Sequence, residues 1–352
     1  MASKWSKLGI HTTLLCPLDY VSKTVAFEFD RELPFSVIRF EIVPLLFKIP
    51  FRVYKAFKIA WDSKCTVLVA SAYRSGLYAL LPQFILNIPR INIGHGSEFG
   101  FKSSLPLQLS RLSFSSATHV IVVSQYTAKL AQGVLPHKRM TVIPNGGEPT
   151  RFYPGNRVEA RKKLNLPQEA FLILTVGRMC TRKAQDLIIK AIHELPMLNP
   201  KIHYCLVGHP EGRDKLENLG RELGLSDRLH FHSQAPFEDI PLFYQSANLY
   251  ALPSRVSPDG DHEGFGISII EAALCACPAL STRNSGTAEA LEENKTGWLV
   301  EPENSKALAQ ILLTLHTQPD LLREAGNAAY QRAQKDYTWE KVADKYREVM
   351  GL

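Results

Sequence analysis

The stretch Glu263-Gly264-Phe265-Gly266-Ile267-Ser268-Ile269-Ile270-Glu271 sets two carboxylates eight residues apart with two glycines between them. Gly264 and Gly266 carry no Cβ, so the backbone there can approach a ligand closely. The apolar spacing from Ile267 to Ala276 reads as a helix. Its first N–H groups and the positive end of its dipole would point out of the loop, forming an anion site suited to a diphosphate. Glu271 falls about one turn into that helix, where a carboxylate can accept hydrogen bonds from two vicinal ribose hydroxyls. Glu263 stays on the loop, placed to meet a sugar. A competing reading is local: Ser268 and Glu271 fit a capping box, in which the carboxylate satisfies backbone donors and touches no ligand.

Upstream, a strand over Leu249–Leu252 leads through Pro253-Ser254 into this loop. Farther upstream, a strand ends at Gly177 and a helix begins near Lys183. Arg178 and Lys183 then project from the carboxyl end of a strand, the place where doubly wound sheets bind ligands. Two cations there can neutralise charge developing on a departing diphosphate; as isolated residues they read equally as solvated surface groups. Asp259-Gly260-Asp261 has the spacing of a carboxylate pair that binds Mg²⁺ or Mn²⁺. The neighbouring cations and helix end already supply countercharge, so no metal is expected.

Short β-branched runs alternate with longer helical patterns along the whole chain, which implies parallel sheets with crossover helices. Strands are predicted at Thr12–Cys16, Thr66–Ala70, Arg90–Gly94, His119–Val123 and Met140–Ile143. A second series covers Phe171–Val176, His203–Val207, Leu229–His232, Leu249–Leu252 and Ala279–Ser281. Tyr153-Pro154-Gly155 marks a turn between the series. The expected organisation is a first lobe over 1–150, a second over 151–336 and a terminal helix over 337–352. That helix starts at Thr338-Trp339-Glu340, with Val342, Tyr346 and Met350 on one face, and either caps the second lobe or returns to the first. The fold class is α/β, with two Rossmann-like doubly wound lobes and a cleft between them.

The chain of 352 residues is too long for one compact core. At 45% hydrophobic and 21% charged it is neither disordered nor fibrous. Six cysteines are scattered, and Cys275-x-Cys277 has no second pair nearby to complete a zinc site, so buried thiols in a reducing cytoplasm are expected. No secretory signal and no long apolar run is present, which predicts a cytoplasmic protein without a transmembrane helix. The first 150 residues hold 17 Lys and Arg against 8 Asp and Glu, a net +9, and the remainder nets −2. A basic half implies a face that meets something anionic. Nucleic acid is disfavoured because no stacking module or binding motif appears. A dehydrogenase is disfavoured because no G-x-G-x-x-G follows a strand.

Together these motifs resemble the retaining, two-lobed glycosyltransferases of family 4, with the GT-B fold. Gly177-Arg178…Lys183, Pro253-Ser254, the Glu263-x7-Glu271 stretch, Ile143-Pro144-Asn145-Gly146 and Gly297-Trp298-Leu299-Val300-Glu301-Pro302 match that family in order and spacing. The resemblance covers nearly the whole chain from about Leu8, and Asp-Gly-Asp-x-Glu-Gly is similar to a variant in bacterial exopolysaccharide transferases. It implies a hexosyltransferase using a nucleotide-diphospho-sugar, UDP-glucose-like first and GDP-mannose next, and needing neither cofactor nor metal. The acceptor implied is a glycan or a lipid-linked sugar, in exopolysaccharide or envelope glycan synthesis. By the same resemblance Glu271 holds the ribose and Glu263 the transferred sugar. The amides of Phe265, Gly266 and Ile267, beside Gly264, meet hydroxyls and phosphate, and Arg178 and Lys183, after Gly177, take the diphosphate. The base lies against Ser233-Gln234-Ala235. His95, in Ile91-Asn-Ile-Gly94-His95-Gly96, resembles the histidine that faces the donor sugar.

The chain departs from the family at its start, where Leu8–Pro17 looks like the second strand of the first lobe. A first βα unit of about 25–30 residues is expected to be missing, which leaves open an inactive sugar-nucleotide-binding subunit. Phe35 to Trp61 mixes large apolar residues with Arg39, Lys48, Arg52, Lys55 and Lys58. It reads either as a helix lying on an anionic membrane at the inner face of the plasma membrane, or as core helices with basic outer faces.

Overall fold

Every strand pairing is parallel, as the alternation of strand and helix patterns requires. The computed structural model describes residues 1–18, 23–40, 43–195, 202–233 and 235–352, apart from the side chains of 23–25 and 45–46. It divides into two compact units: Met1–Val123 with Ala128–Ile143 and Trp339–Leu352, and Ser124–Thr127 with Pro144–Thr338. The chain therefore changes unit after Ile143, where a division near 150 was expected.

In the first unit β1 (Thr13–Pro17) pairs with β2 (Ser36–Phe40), while β3 (Leu68–Ser71), β4 (Arg90–Gly94), β5 (His119–Val122) and β6 (Met140–Val142) form a four-stranded sheet in that order. β4 is buried along its whole length. Even Arg90 is enclosed, because its guanidinium donates to the carbonyl of Gly76, to Ser113 O at 2.9 Å and to Ser116 Oγ at 2.7 Å. The terminal helix Trp339–Met350 belongs to this unit. Val342 and Tyr346, one turn apart, are buried; the Tyr346 ring lies 6.0 Å from that of Trp5, whose Nε1 donates to Ala343 O at 3.3 Å.

The second unit holds a six-stranded sheet of β7 (Phe171–Val176), β8 (Ile202–Val207), β9 (Leu229–His232), β10 (Leu249–Leu252), β11 (Ala279–Thr282) and β12 (Gly297–Val300). The order is β9-β8-β7-β10-β11-β12. Strands buried on both faces read as continuous apolar runs, and Phe-Leu-Ile-Leu at the start of β7 is such a run. Thr175 completes it without an unmet hydroxyl: it donates to Ala251 O at 2.6 Å and accepts from Tyr204 Oη at 2.8 Å. The strand order reverses between β7 and β10. This is the topological switch point, where the loops leaving two adjacent strands diverge and open a crevice.

Two strands escaped the sequence reading. β2 lies inside the stretch from Phe35 read as helical, whether on a membrane or in the core; the helix begins only at Leu45 and runs to Asp62. Arg39 is therefore a strand residue, with Nη2 2.7 Å and Nε 2.8 Å from the Asp30 carboxylate. β12 was quoted as a motif and not as a strand. Gly297 faces the Ala279 carbonyl so closely that any Cβ would collide with it.

Truncating the terminal helix at its most enclosed aromatic tests its role in the first unit. Tyr346→Ala is expected to destabilise by about 3 kcal/mol, read as a lowered urea midpoint of that unit's transition.

Candidate functional site

The loops that leave β7 and β10 carry the residues the sequence singled out. After β7, Gly177 turns at φ +144° and its N–H donates to Val207 O at 2.8 Å. A 3-10 turn, Thr181–Lys183, follows, closed by Ala184 at φ +52°. After β10 the loop passes Asp261 and Glu263 and ends at Gly266, whose φ of +83° starts the helix Ile267–Leu274. A Cβ on Gly266 would lie 3.0 Å from Thr287 Cγ2 and 3.2 Å from Ile269 Cδ1. Phe265 is buried with its ring 5.8 Å from Tyr337, and Ile267 is exposed at the helix entrance. Gly264 is buried under Gly286, where a side chain would strike its carbonyl. These constraints fix the amides of 265–267 at the mouth of the helix.

The two carboxylates have opposite electrostatic surroundings. Glu263 pairs with Arg182 Nη1 and with Lys183 Nζ at 2.7 Å, all three side chains being at most 16% exposed. Burial would raise its pKa, but Lys183 and Arg182 outweigh burial and hold the carboxyl below its ordinary value. Among the described residues Glu271 has no cation at salt-bridge distance. Burial raises its pKa, opposed only in part by the Tyr244 hydroxyl, which donates to Oε2 at 2.7 Å, and by the more distant charges of Arg151 and Lys183. The capping box does not form. No side chain caps the helix; Ser268 Oγ instead accepts from Tyr250 Oη at 2.6 Å, and Glu271 turns to Tyr244.

Lys183 and Glu263 are thus brought together, whereas Arg178 stands apart, more than half exposed and 3.4 Å from Glu211. Gln234 lies outside the described residues. His95 belongs to the first unit, just past β4. Its Nε2 is 2.8 Å from Ser71 Oγ, and the N–H groups of His95 and Gly96 donate to the buried Glu98 carboxylate at 3.2 and 2.8 Å. Asp261, half of the metal-like pair, accepts from Arg182 Nε at 3.0 Å. Among the described residues no group of three or more His, Cys, Asp and Glu side chains is placed to hold a metal ion.

Sequence reading passed over Arg182 and Tyr244. Arg182 lies between the two cations singled out in its loop and was given no role, because its partners lie 79 and 81 residues away. Tyr244 sits in an ordinary apolar helix, Ile240–Ser246, and gives no local signal.

The acid-and-cation cluster and a helix N-terminus lie together at the switch point of a parallel sheet, the place where doubly wound sheets bind ligands. Residues 156–332 match the family described as glycosyl transferases group 1, and residues 1–151 match glycosyltransferase family 4. The chain belongs to this glycosyltransferase family, and its two parallel-sheet units have the GT-B fold. It is similar to a GDP-mannose-dependent alpha-(1-6)-phosphatidylinositol monomannoside mannosyltransferase of Mycolicibacterium smegmatis, at 28% identity over 73% of this chain and 68% of that protein. It is also similar to the D-inositol 3-phosphate glycosyltransferase of Nocardia farcinica, at 32% identity over 58% of this chain. The chain spans about half the length of the inositol phosphate enzymes it matches. Among solved structures, sucrose-phosphate synthase of Thermosynechococcus elongatus aligns with a TM-score of 0.84 at 23% identity, covering 99% of this chain and 92% of that one. HepE of Anabaena, solved with UDP and glucose, aligns at 0.82 and 21% identity, covering 99% and 94%.

The opposed surroundings give opposed stability effects in the ligand-free protein. A raised carboxyl pKa contributes stability below the unfolded value that is lost as pH rises through the folded one, so ionised Glu271 is a cost at neutral pH. Glu271→Gln, which still accepts from Tyr244, is expected to melt at or above the wild-type temperature at pH 7–8. A lowered pKa contributes stability above the unfolded value that is lost as pH falls through the folded one. Glu263→Gln strands two cations and is expected to melt lower by at least about 3 °C in the same scan.

Proposed function

We propose that the protein transfers a hexose from a nucleoside-diphospho-sugar to a glycan or lipid-linked acceptor, with retention at the transferred carbon. The observation that carries this reading is the arrangement at the switch point: a helix mouth fixed by glycines, with an ionised Glu263 on one side and a cation-poor Glu271 on the other. The helix mouth and Lys183 take the diphosphate, Glu271 the ribose hydroxyls, and Glu263 the sugar. Arg178, on its exposed loop, swings to the same phosphates.

Within this reading, the state of Glu263 supports retention without a covalent intermediate. A carboxylate bound by two cations is a poor nucleophile, and Glu271 is occupied with the ribose in this reading, so neither suits double displacement. The route proposed is front-face substitution, in which the departing diphosphate takes the acceptor's proton. The donor order is a UDP-hexose such as UDP-glucose, then GDP-mannose. Likeness of fold to HepE, solved with UDP and glucose, supports the first, and the mannosyltransferase relative supports the second. The setting proposed is exopolysaccharide or envelope glycan synthesis on the cytoplasmic side. A thermal-shift panel of UDP-, GDP- and ADP-sugars tests the donor: one series is expected to raise the melting temperature, and Glu271→Ala to abolish that rise. No rise in any series would overturn the reading; a rise without donor turnover would indicate an inactive binding subunit.

We also propose an anionic lipid surface as a partner of the first unit. On the helix Leu45–Asp62, Phe47, Tyr54 and Trp61 recur at seven-residue spacing and all are exposed, Trp61 by 63%. The neighbouring helix Leu80–Leu86 adds exposed Phe84 and Ile85. Lys55, Lys58 and Lys64 border the stripe. Aromatic and basic side chains combined on one face suit the headgroup boundary. No helix among the described residues is long and apolar enough to cross a membrane. Vesicles of phosphatidylglycerol and phosphatidylethanolamine are expected to co-sediment the protein, and Phe47→Ser/Tyr54→Ser/Trp61→Ser to release it. Equal recovery in the supernatant with anionic and neutral vesicles would defeat this proposal.

A further inference from the structure

The proposed reaction gives Lys183 to the donor's diphosphate, yet in this structure its ammonium is bound to Glu263. Arg182 is bound to the same oxygen, Oε2, so two cations converge on one carboxylate atom. They differ in how they are held. Arg182 is fixed at three points: Nη1 on Glu263, Nε at 3.0 Å from Asp261, and its carbonyl accepting from Arg255 N at 2.9 Å. Its planar fork suits such a standing contact. Lys183 ends in a single point charge on a flexible stem, which rests against Gly177, where a Cβ would come within 3.2 Å of Lys183 Cε.

We propose that Arg182 is a positioning residue, the standing counter-ion of Glu263, whose hold on that carboxylate lets Lys183 move to an arriving diphosphate. The inference rests on the nucleotide-sugar reading above. Without Arg182, the departure of Lys183 would strand a mostly buried carboxylate, which is strongly unfavourable, so the lysine would stay where it is. Asp261 completes the device by orienting the guanidinium from its far side.

Isothermal titration with UDP, and with GDP in parallel, tests the hand-over on the full chain. Arg182→Met is expected to weaken the nucleotide that binds wild type by about tenfold, since Lys183 becomes the sole partner of Glu263. Adding Glu263→Gln should restore most of that affinity, because the lysine then has no carboxylate to neutralise. Arg182→Lys should stay within about threefold of wild type. Arg255→Met removes a neighbouring cation that pairs with Asp186 and Glu303, and should change affinity less than Arg182→Met does. A merely structural arginine would leave the double variant as weak as the single or weaker, and that result overturns the proposal. Wild-type affinity in Arg182→Met overturns it too. If wild type binds neither nucleotide, the donor reading itself fails and the hand-over falls with it.

Discussion

The ion cluster of Arg182, Lys183 and Glu263 is the constraint on which the rest of the second unit's site depends. It ties the loop after β7 to the loop after β10 at the point where the strand order reverses. Charges withdrawn from water cost several kcal/mol each unless they meet partners in good geometry. The backbone supplies that geometry through turns ordinary residues resist: Gly177 at φ +144°, Ala184 at φ +52° and Gly266 at φ +83°. Ala184 shows how strongly the surroundings decide, since an alanine accepts the left-handed conformation there to let the helix Gln185–His193 begin beside the cations.

The two ends of the Glu263–Glu271 stretch show how one motif produces two chemical roles. Spacing places one carboxylate on a loop and the other a turn into a helix, but spacing does not distinguish their charge states. Neighbours do. Glu263 is held ionised by cations from a loop some eighty residues earlier in the chain, whereas Glu271 meets a tyrosine hydroxyl and only remote positive charge. A carboxylate poor in cations keeps acceptor capacity for hydroxyl donors, and one saturated with cations keeps a fixed position. In the proposed reaction, binding and orientation are thereby separated within one short segment.

Much of this was legible in the sequence because it is local. The apolar runs that open β7 and make up β10 are continuous, so their assignment needed no tertiary information. The helix after Gly266 announced itself by glycine followed by an apolar run. What was not legible depends on distance. Ser268 and Glu271 satisfy a capping rule on paper, yet both side chains leave the helix end for tyrosines at 250 and 244, which local rules do not contain. β2 was lost because Ser-Val-Ile-Arg-Phe carries the same mixture of bulk and charge as the helix that follows, and only its pairing with β1 separates them.

Asp259-Gly-Asp261 takes the same argument one step further. Two carboxylates at that spacing are chemically able to bind a divalent ion, so spacing leaves a metal site and an ion pair equally open. Arg182 Nε lies 3.0 Å from Asp261, and Ser257 Oγ donates to Asp259, so each carboxylate is engaged by a group its own loop or the adjoining loop provides. A guanidinium at this position also does what an ion at Asp261 would not: its second arm reaches Glu263. Asp261 therefore meets the arginine that also holds Glu263, two positions along, the carboxylate assigned to the sugar in the proposed reaction.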